Sequence, residues 1–344
     1  MGAIVTVPAA HGGAPRGWLE LSASPNPCGT PQAVRDAVAG AGYGAYADLD
    51  PREAERHLAA DAGVEEGCVL LTAGATEALR LIVAGAAGGA LVLGPTYGEY
   101  ARLVALRGGA TAEIRAEAPA FVPPVERFAA ALSSRSWALA FVCDPNNPTG
   151  RRLAPEEMRA ILAALPPRTR LVIDQSFAPF AGESVPAADL IAGGDAMLVR
   201  SLTKILAAPG LRVGYVVARR DRIASLRAHR DPWSPGAHAC AAAAVSSWDL
   251  GADARLTIAA WRERLVRALA AHGLEAVPSE APFVLAHAGS RAEGIVRALA
   301  HRRIAVRWCA SFGLPEHLRV AVRPPGEQEV LVAALAGLRA EARS

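Results

Sequence analysis

Residues 201–212 read SLTKILAAPGLR and contain Lys204, the only lysine of this 344-residue chain. Arginine occupies every other position among the 36 Lys and Arg residues. A guanidinium cannot give up its proton in a protein and act as a nucleophile, whereas a lysine amine can. The lone lysine therefore indicates a task for a primary amine, and a Schiff base to an aldehyde cofactor is the leading candidate. A lysine retained by chance at the surface is the alternative.

The residues around the lysine are suited to holding a phosphate. Ser201 and Thr203 offer hydroxyl groups, and Arg212 offers a planar guanidinium with two parallel donors. An exposed arginine with no ligand is the plainer interpretation of Arg212. The spacing favours a phosphate site next to the amine.

A second anion site is predicted at residues 74–77, which read GATE and follow the apolar run 69–72. Free N–H groups at the beginning of a helix attract anions, and Thr76 adds a hydroxyl next to Ala75. The same four residues would also serve as an ordinary helix start.

Asp174 ends the apolar run 171–173, where a carboxylate beside a buried strand needs a cationic partner. A protonated pyridine nitrogen would supply that partner, and the ionised carboxylate would keep the ring an electron sink. A helix-capping aspartate is the alternative.

Two further side chains follow predicted strands. Asn147 lies in the loop 144–150, DPNNPTG, and can donate to a phenolate oxygen on a cofactor ring. Tyr97 lies in 94–100, GPTYGEY, where its ring can stack on a flat ligand or pack in the core.

Short apolar runs alternate with longer amphipathic stretches, which predicts an α/β fold with a mainly parallel sheet. The predicted strands are 69–72, 90–93, 139–143, 171–173, 197–199 and 213–218, and the predicted helices are 75–85, 97–107, 155–165 and 186–192. After Pro232 we expect one long helical region, 235–273, then strands at 283–286, 304–307 and 318–322 and a last helix, 327–340. The predicted organisation is an N-terminal arm (1–30) packed on a smaller α+β domain (235–344), and a large domain (31–234).

Composition excludes several classes of function. The net charge is +3 with scattered arginines, so we expect no nucleic-acid partner. The five cysteines are far apart and form no CxxC pair, which predicts free thiols and no metal site. No stretch resembles a signal peptide or a membrane span. We therefore expect a cytoplasmic protein without a membrane partner.

Taken together, the motifs PTY (95–97), PNNPTG (145–150), Asp174, SLTK (201–204) and GLRVGY (210–215) resemble the fold-type I enzymes that use pyridoxal 5'-phosphate. The similarity is to the class I and II aminotransferases, including histidinol-phosphate aminotransferases, and it covers nearly the whole chain. Residues 11–13, 21–27, 200–212 and 319–323 are most similar to the threonine-phosphate decarboxylases of cobalamin biosynthesis. The implied fold is a large domain with a seven-stranded, mainly parallel sheet and a smaller α+β C-terminal domain.

The resemblance assigns roles to individual residues. It implies that Lys204 bonds the cofactor aldehyde, that Asp174 pairs with the ring nitrogen, and that Tyr97 stacks on the ring. The remaining cofactor contacts implied are Asn147 at the ring hydroxyl, Ala75, Thr76, Ser201, Thr203 and Arg212 at the phosphate, and Tyr46 at the phosphate of a neighbouring subunit. The catalytic residues implied are Lys204, Asp174 and Tyr97. An active site that includes Tyr46 of a neighbouring subunit implies a homodimer.

The substrate implied is a small amino acid, possibly phosphorylated. Arg319 would receive its carboxylate, and His11, Asn26 and Arg323 would be further substrate contacts.

One departure concerns the reaction. The usual Asp-Glu-Ala-Tyr of the aminotransferases is here DQSF (174–177), with Phe177 in place of tyrosine, as in the decarboxylases. The first hypothesis is therefore decarboxylation of L-threonine O-3-phosphate to (R)-1-aminopropan-2-ol phosphate. The second is transamination, with histidinol phosphate as the named substrate, or with another amino acid in a specialised biosynthetic relative. A cofactor-binding protein without catalysis is the third.

Overall fold

A computed structural model describes residues 12–182 and 185–341. Within these ranges the strands are β1 (Leu19–Leu21), β2 (Val69–Thr72), β3 (Ala90–Gly94), β4 (Thr111–Arg115), β5 (Leu139–Cys143), β6 (Arg170–Asp174), β7 (Ala196–Arg200), β8 (Gly214–Val217), β9 (Glu275–Ala276), β10 (Phe283–His287), β11 (Ile304–Trp308) and β12 (His317–Ala321). The α-helices are α1 (Gln32–Gly40), α2 (Arg52–Asp61), α3 (Gly74–Ala84), α4 (Glu99–Leu106), α5 (Val125–Ser134), α6 (Pro155–Ala163), α7 (Ala187–Ala192), α8 (Leu202–Ile205), α9 (Arg220–Arg227), α10 (Ala237–Ala244), α11 (Leu250–Ala271), α12 (Ala292–His301) and α13 (Pro325–Glu341).

The larger sheet has seven strands in the order β2-β8-β7-β6-β5-β3-β4. All neighbouring pairs are parallel except those of β8, which runs antiparallel to β2 and to β7. The prediction of a seven-stranded, mainly parallel sheet is therefore confirmed. Parallel strands place their carboxyl ends at one edge of the sheet, and ligands bind at that edge in open α/β folds.

Both faces of this sheet are buried. Successive side chains of a strand point to opposite faces. Leu70 therefore packs in one apolar cluster with Phe141 and Val172, whereas Leu71 packs in the opposite cluster with Ile173. Burial on both faces explains why these strands read as continuous apolar runs rather than as alternating ones.

One strand of the larger sheet was not predicted from the sequence, and one predicted helix was wrong. Strand β4 was not predicted, because it lies at the edge of the sheet, is only partly buried and has the mixed sequence TAEIR. The long helix predicted over 235–273 is interrupted between α10 and α11. At this break the Ser247 hydroxyl and the Trp248 N–H both donate to the carboxylate of Asp61. These bonds tie the segment between α10 and α11 to the end of α2.

The smaller sheet has five strands in the order β1-β11-β12-β10-β9. Strand β1, from the N-terminal part of the chain, pairs in parallel with β11, and the other pairs are antiparallel. This pairing brings residues 19–21 beside residues 304–306. The domain limits given above remain a prediction.

The described residues contain neither a membrane-spanning helix nor a cluster of metal ligands. None of the helices in that part of the chain is long and apolar enough to cross a membrane. None of the His, Cys, Asp and Glu side chains placed there form a group of three or more that could hold a metal ion.

Candidate active site

A cavity of about 370 Å³ lies at the carboxyl edge of the larger sheet and is closed on its other side by the smaller sheet and the N-terminal segment. We call the side formed by Thr76, Tyr97, Asn147, Asp174, Ser201 and Lys204 the sheet wall. The side formed by Arg307, Ser311, Phe312 and Arg319 is the arginine wall. The other lining residues are Gly12, Ala23, Ala75, Gly98, Cys143, Ser176, Phe177, Thr203 and Arg212.

Lys204 lies on the short helix α8, which follows β7 directly. Its amine lies 5.7 Å from the centre of the Phe177 ring. Burial lowers the pKa of Lys204 to about 8, and the positive charges of Arg319 and Arg212 act in the same direction, while Asp174 opposes them. At that pKa about one amine in ten is neutral at pH 7, far more than for an ordinary lysine. The amine is therefore suited to nucleophilic attack on a carbonyl.

Asp174 is the last residue of β6 and is buried. Its Oδ1 atom accepts hydrogen bonds from the backbone N–H and the hydroxyl of Ser176, at 2.9 and 2.6 Å. Its Oδ2 atom accepts one from the hydroxyl of Tyr100, at 2.7 Å. Donors of this kind stabilise a carboxylate in its ionised form, so Asp174 can face a cationic group in the cavity.

Hydroxyl groups, the start of α3 and a guanidinium together form an anion cradle. The hydroxyls of Ser201 and Thr203 are 2.7 Å apart, and Thr76 lies in the first turn of α3. Gly74 has a φ of +80°, and a Cβ atom there would come within 2.8 Å of the Arg212 guanidinium. A residue with a side chain would therefore displace Arg212 from the cradle.

Tyr97 and Asn147 extend the site beyond the amine. Burial, together with the charges of Glu99 and Asp174, raises the pKa of Tyr97 to about 12. The Tyr97 ring packs edge-on against Tyr100, with centroids 5.6 Å apart, and lines the cavity. The Oδ1 atom of Asn147 accepts a hydrogen bond from the guanidinium of Arg319.

Arg319 connects the two walls. Besides its bond to Asn147, it donates to the backbone carbonyl of Ser22 at 2.7 Å and lies over the Phe283 ring at 4.8 Å. Burial lowers the pKa of Arg319 to about 10, so it remains positively charged at neutral pH.

Arg307 was not among the residues predicted for the site. It is buried, lines the cavity and donates to the Ser311 hydroxyl at 2.7 Å. It lies opposite Arg319 on the antiparallel strands β11 and β12. The only signal in the sequence is an arginine at the end of a predicted strand, because the pairing with Arg319 depends on a register that the sequence does not reveal.

Two predicted site residues, Asn26 and Arg323, do not line the cavity. The amide of Asn26 donates to the backbone carbonyl of Ile205 at 3.0 Å and accepts from the N–H of Cys28 at 3.0 Å, so it holds the loop after Lys204 and is not among the lining residues. Arg323 pairs with Glu327 at 3.0 Å, also outside the lining. Tyr46 is 81% exposed and stacks on Trp233 at 4.6 Å. His11 lies outside the described residues.

The residues that line the cavity fit pyridoxal 5'-phosphate. An amine of lowered pKa, a buried carboxylate with donors on both oxygens and an anion cradle line the same space. Lys204 would hold the aldehyde carbon, Asp174 the ring nitrogen, and Thr76, Ser201, Thr203 and Arg212 the phosphate. This combination defines the class of fold-type I enzymes that use this cofactor.

The chain belongs to the class I and II aminotransferase family, which matches residues 16–337 and depends on pyridoxal 5'-phosphate. It is 34% identical over 326 residues to a histidinol-phosphate aminotransferase of Symbiobacterium thermophilum, covering 92% of this chain and 89% of that protein. The protein is accordingly an enzyme of this pyridoxal-phosphate-dependent family.

Solved structures support the same fold. The histidinol-phosphate aminotransferase of Sinorhizobium meliloti, in complex with pyridoxal-5'-phosphate, superimposes with a TM-score of 0.83 at 25% identity, covering 92% of this chain and 91% of that one. The L-threonine-O-3-phosphate decarboxylase of Porphyromonas gingivalis gives a TM-score of 0.77 at 24% identity, covering 92% and 98%. At that identity the second similarity concerns the fold alone.

Proposed function

We propose that this enzyme is an aminotransferase for phosphorylated amino substrates, with histidinol phosphate as the first candidate. The observation that carries the proposal is the pair Arg307 and Arg319, two buried arginines on neighbouring strands that line the cavity of Lys204. Two guanidinium groups in one pocket favour a substrate with a phosphate, or a partner substrate with two carboxylates. The similar proteins of 30% identity or more are histidinol-phosphate aminotransferases, so we place transamination first and decarboxylation second.

When bound, the cofactor supplies an electron sink for the bond that breaks at the substrate Cα. In this proposal Lys204 moves a proton at Cα, since an amine with a pKa of about 8 can both accept and return it near neutral pH. Asp174 would hold the ring nitrogen and favour its protonated form. The Tyr97 ring, which packs edge-on against Tyr100 and lines the cavity, would stack on the cofactor.

The arginine wall would orient the substrate. Arg319 is held at Asn147 and at the carbonyl of Ser22, so an anion bound there has a fixed position relative to Lys204. Arg307, held by Ser311, would receive the second anionic group. By fixing both anionic groups, the two arginines would decide which substituent of Cα is presented for reaction.

A second candidate, decarboxylation of L-threonine O-3-phosphate, is favoured by Phe177. This ring lies 5.7 Å from the Lys204 amine and packs edge-on against Phe283 at 4.9 Å. It therefore offers no hydroxyl to the oxygen of the cofactor ring, which the tyrosine of the usual motif would supply. Both an α-carboxylate and a phosphate could be held by the two arginines.

The proposal includes a homodimer in which Tyr46 reaches the site of the partner subunit. It is supported by the exposure of the stacked pair Tyr46 and Trp233, since large aromatic side chains at a surface mark interaction sites. Light scattering of the purified protein would test the dimer.

The reaction is tested with two substrates. With histidinol phosphate and 2-oxoglutarate, we expect continuous formation of glutamate. With threonine phosphate and no keto acid, we expect at most one turnover, seen as a change of the cofactor absorbance. Sustained release of CO2 in the second assay would instead establish the decarboxylase.

The arginine pair is tested with Arg307→Ala. We expect KM for the phosphorylated substrate to rise by roughly 10- to 100-fold, because a charged hydrogen bond contributes about 1.5–3 kcal/mol. The substrate without its phosphate should be converted equally well by both proteins. An equal loss for both substrates would contradict the assignment of Arg307 to the phosphate.

A further inference from the structure

The hydrogen bonds that Asp174 already accepts limit how many further hydrogen bonds its carboxylate can accept. A carboxylate has two oxygens and about four lone-pair positions. Ser176 occupies both positions of Oδ1 through its N–H and its hydroxyl, and Tyr100 occupies one position of Oδ2. Counting donors from the described residues only, one acceptor position therefore remains, on Oδ2.

We propose that Ser176 and Tyr100 are positioning residues that keep Asp174 ionised and leave it a single acceptor position, so that the shared proton resides on the cofactor ring nitrogen. The inference rests on the proposed role of Asp174 as the partner of that nitrogen. It adds two side chains to which the motif comparison assigned no role.

The surroundings of both hydroxyls support this role. Tyr100 is completely buried, and its ring is stacked on Phe141 with centroids 4.9 Å apart and planes 5° apart. Burial and the negative charge of Asp174 raise the pKa of Tyr100 well above its ordinary value, so its hydroxyl stays protonated and donates. Ser176 is buried two residues after Asp174, where backbone and side chain donate to the same oxygen.

The position of the proton follows from these donors. Hydrogen bonds to the ionised form favour it, whereas their loss favours transfer of the proton from the ring nitrogen to the carboxylate. A neutral ring is a poorer electron sink. Removal of either hydroxyl should therefore slow the chemical step without weakening substrate binding at the arginine wall.

The test measures the 15N chemical shift of the ring nitrogen in protein reconstituted with 15N-labelled pyridoxal 5'-phosphate. In Ser176→Ala and Tyr100→Phe we expect the ratio of protonated to neutral nitrogen to fall on the order of 10-fold for each lost charged hydrogen bond. The shift should move toward that of neutral pyridine. In both variants we expect kcat to fall with KM little changed. Ser176→Thr keeps the hydroxyl and should show the wild-type 15N shift.

The matched controls remove one buried serine hydroxyl and one buried tyrosine hydroxyl whose hydrogen-bond partners are residues other than Asp174. Ser246 is a buried serine whose hydroxyl donates to the carbonyl of Ala243 at 3.0 Å, and Tyr215 is a buried tyrosine whose hydroxyl accepts from Arg200 at 3.3 Å. Ser246→Ala and Tyr215→Phe should lower thermal stability at most and leave the 15N shift unchanged.

Two results would overturn the inference in distinguishable ways. A wild-type shift in both Ser176→Ala and Tyr100→Phe, while Asp174→Asn shifts the nitrogen signal, would refute the positioning role alone. An unchanged signal in Asp174→Asn would refute the pairing of Asp174 with the ring and, with it, this inference.

Discussion

The two walls of the cavity are built in different ways. The sheet wall takes its residues from the ends of strands in one mainly parallel sheet and from the helix starts that follow them. The arginine wall takes its residues from β11, β12 and the turn between them, and is held by contacts to remote segments such as the carbonyl of Ser22. The first wall can carry chemistry that is shared by a large family, and the second can vary with the substrate.

The largest expected effect is the loss of the cofactor and of activity when the reactive amine of the sheet wall is removed. Lys204→Ala should abolish the visible absorbance of the reconstituted enzyme and its activity, because no other lysine can replace the amine. Borohydride reduction followed by mass spectrometry should attach one cofactor per wild-type chain and none to the variant. Wild-type protein that stays colourless after reconstitution would contradict the assignment.

A smaller effect is expected at the arginine wall. Arg319→Ala should lower kcat/KM by roughly 100-fold, since one charged hydrogen-bonding group is lost from the substrate site. Steady-state kinetics and a cofactor titration would measure this, and cofactor affinity should change far less than kcat/KM.

The control for this comparison is Arg264→Ala, which removes an arginine that is paired with Glu329 at 2.7 Å on the surface. It should leave both measurements unchanged. If Arg319→Ala weakened cofactor and substrate binding equally, the distinction between the two walls would be lost.

The smallest effect concerns pH. Burial and the two arginine charges disfavour the protonated amine, which lowers the pKa of Lys204 to about 8. The rate at which the apo-enzyme develops cofactor absorbance should therefore rise about 10-fold per pH unit below that value and level off above it. Stopped-flow mixing would measure this rate, with acetyl-lysine amide as a free amine for comparison. A rate that continues to rise toward pH 10, as for the free amine, would show that the cavity does not alter the amine.

The sheet wall was largely predictable from the sequence. Thr76, Asn147, Asp174 and Ser201 all follow continuous apolar runs, and a parallel sheet brings the ends of such runs together. The lone lysine marked the reactive group. Local signals and topology were therefore sufficient for this side of the cavity.

The arginine wall and the groups behind Asp174 were predictable only in part. Arg319 was identified through family resemblance, but its contacts to Asn147 and to Ser22 span 172 and 297 residues of sequence. Arg307 and Tyr100 gave no distinguishing signal, because an arginine on a strand and a tyrosine on a helix are common. Side-chain contacts at such separations follow from tertiary packing, which no local pattern encodes.

The bond between Arg319 and Asn147 has a practical consequence for the search for inhibitors. An anion that binds Arg319 would use the same guanidinium that donates to the Asn147 oxygen, so its binding would change the surroundings of an amide that lines the cofactor cavity. Compounds that lack an amino group and undergo no reaction should consequently alter the colour of the enzyme. Binding of such compounds could be followed by eye or by plate reader, without any turnover.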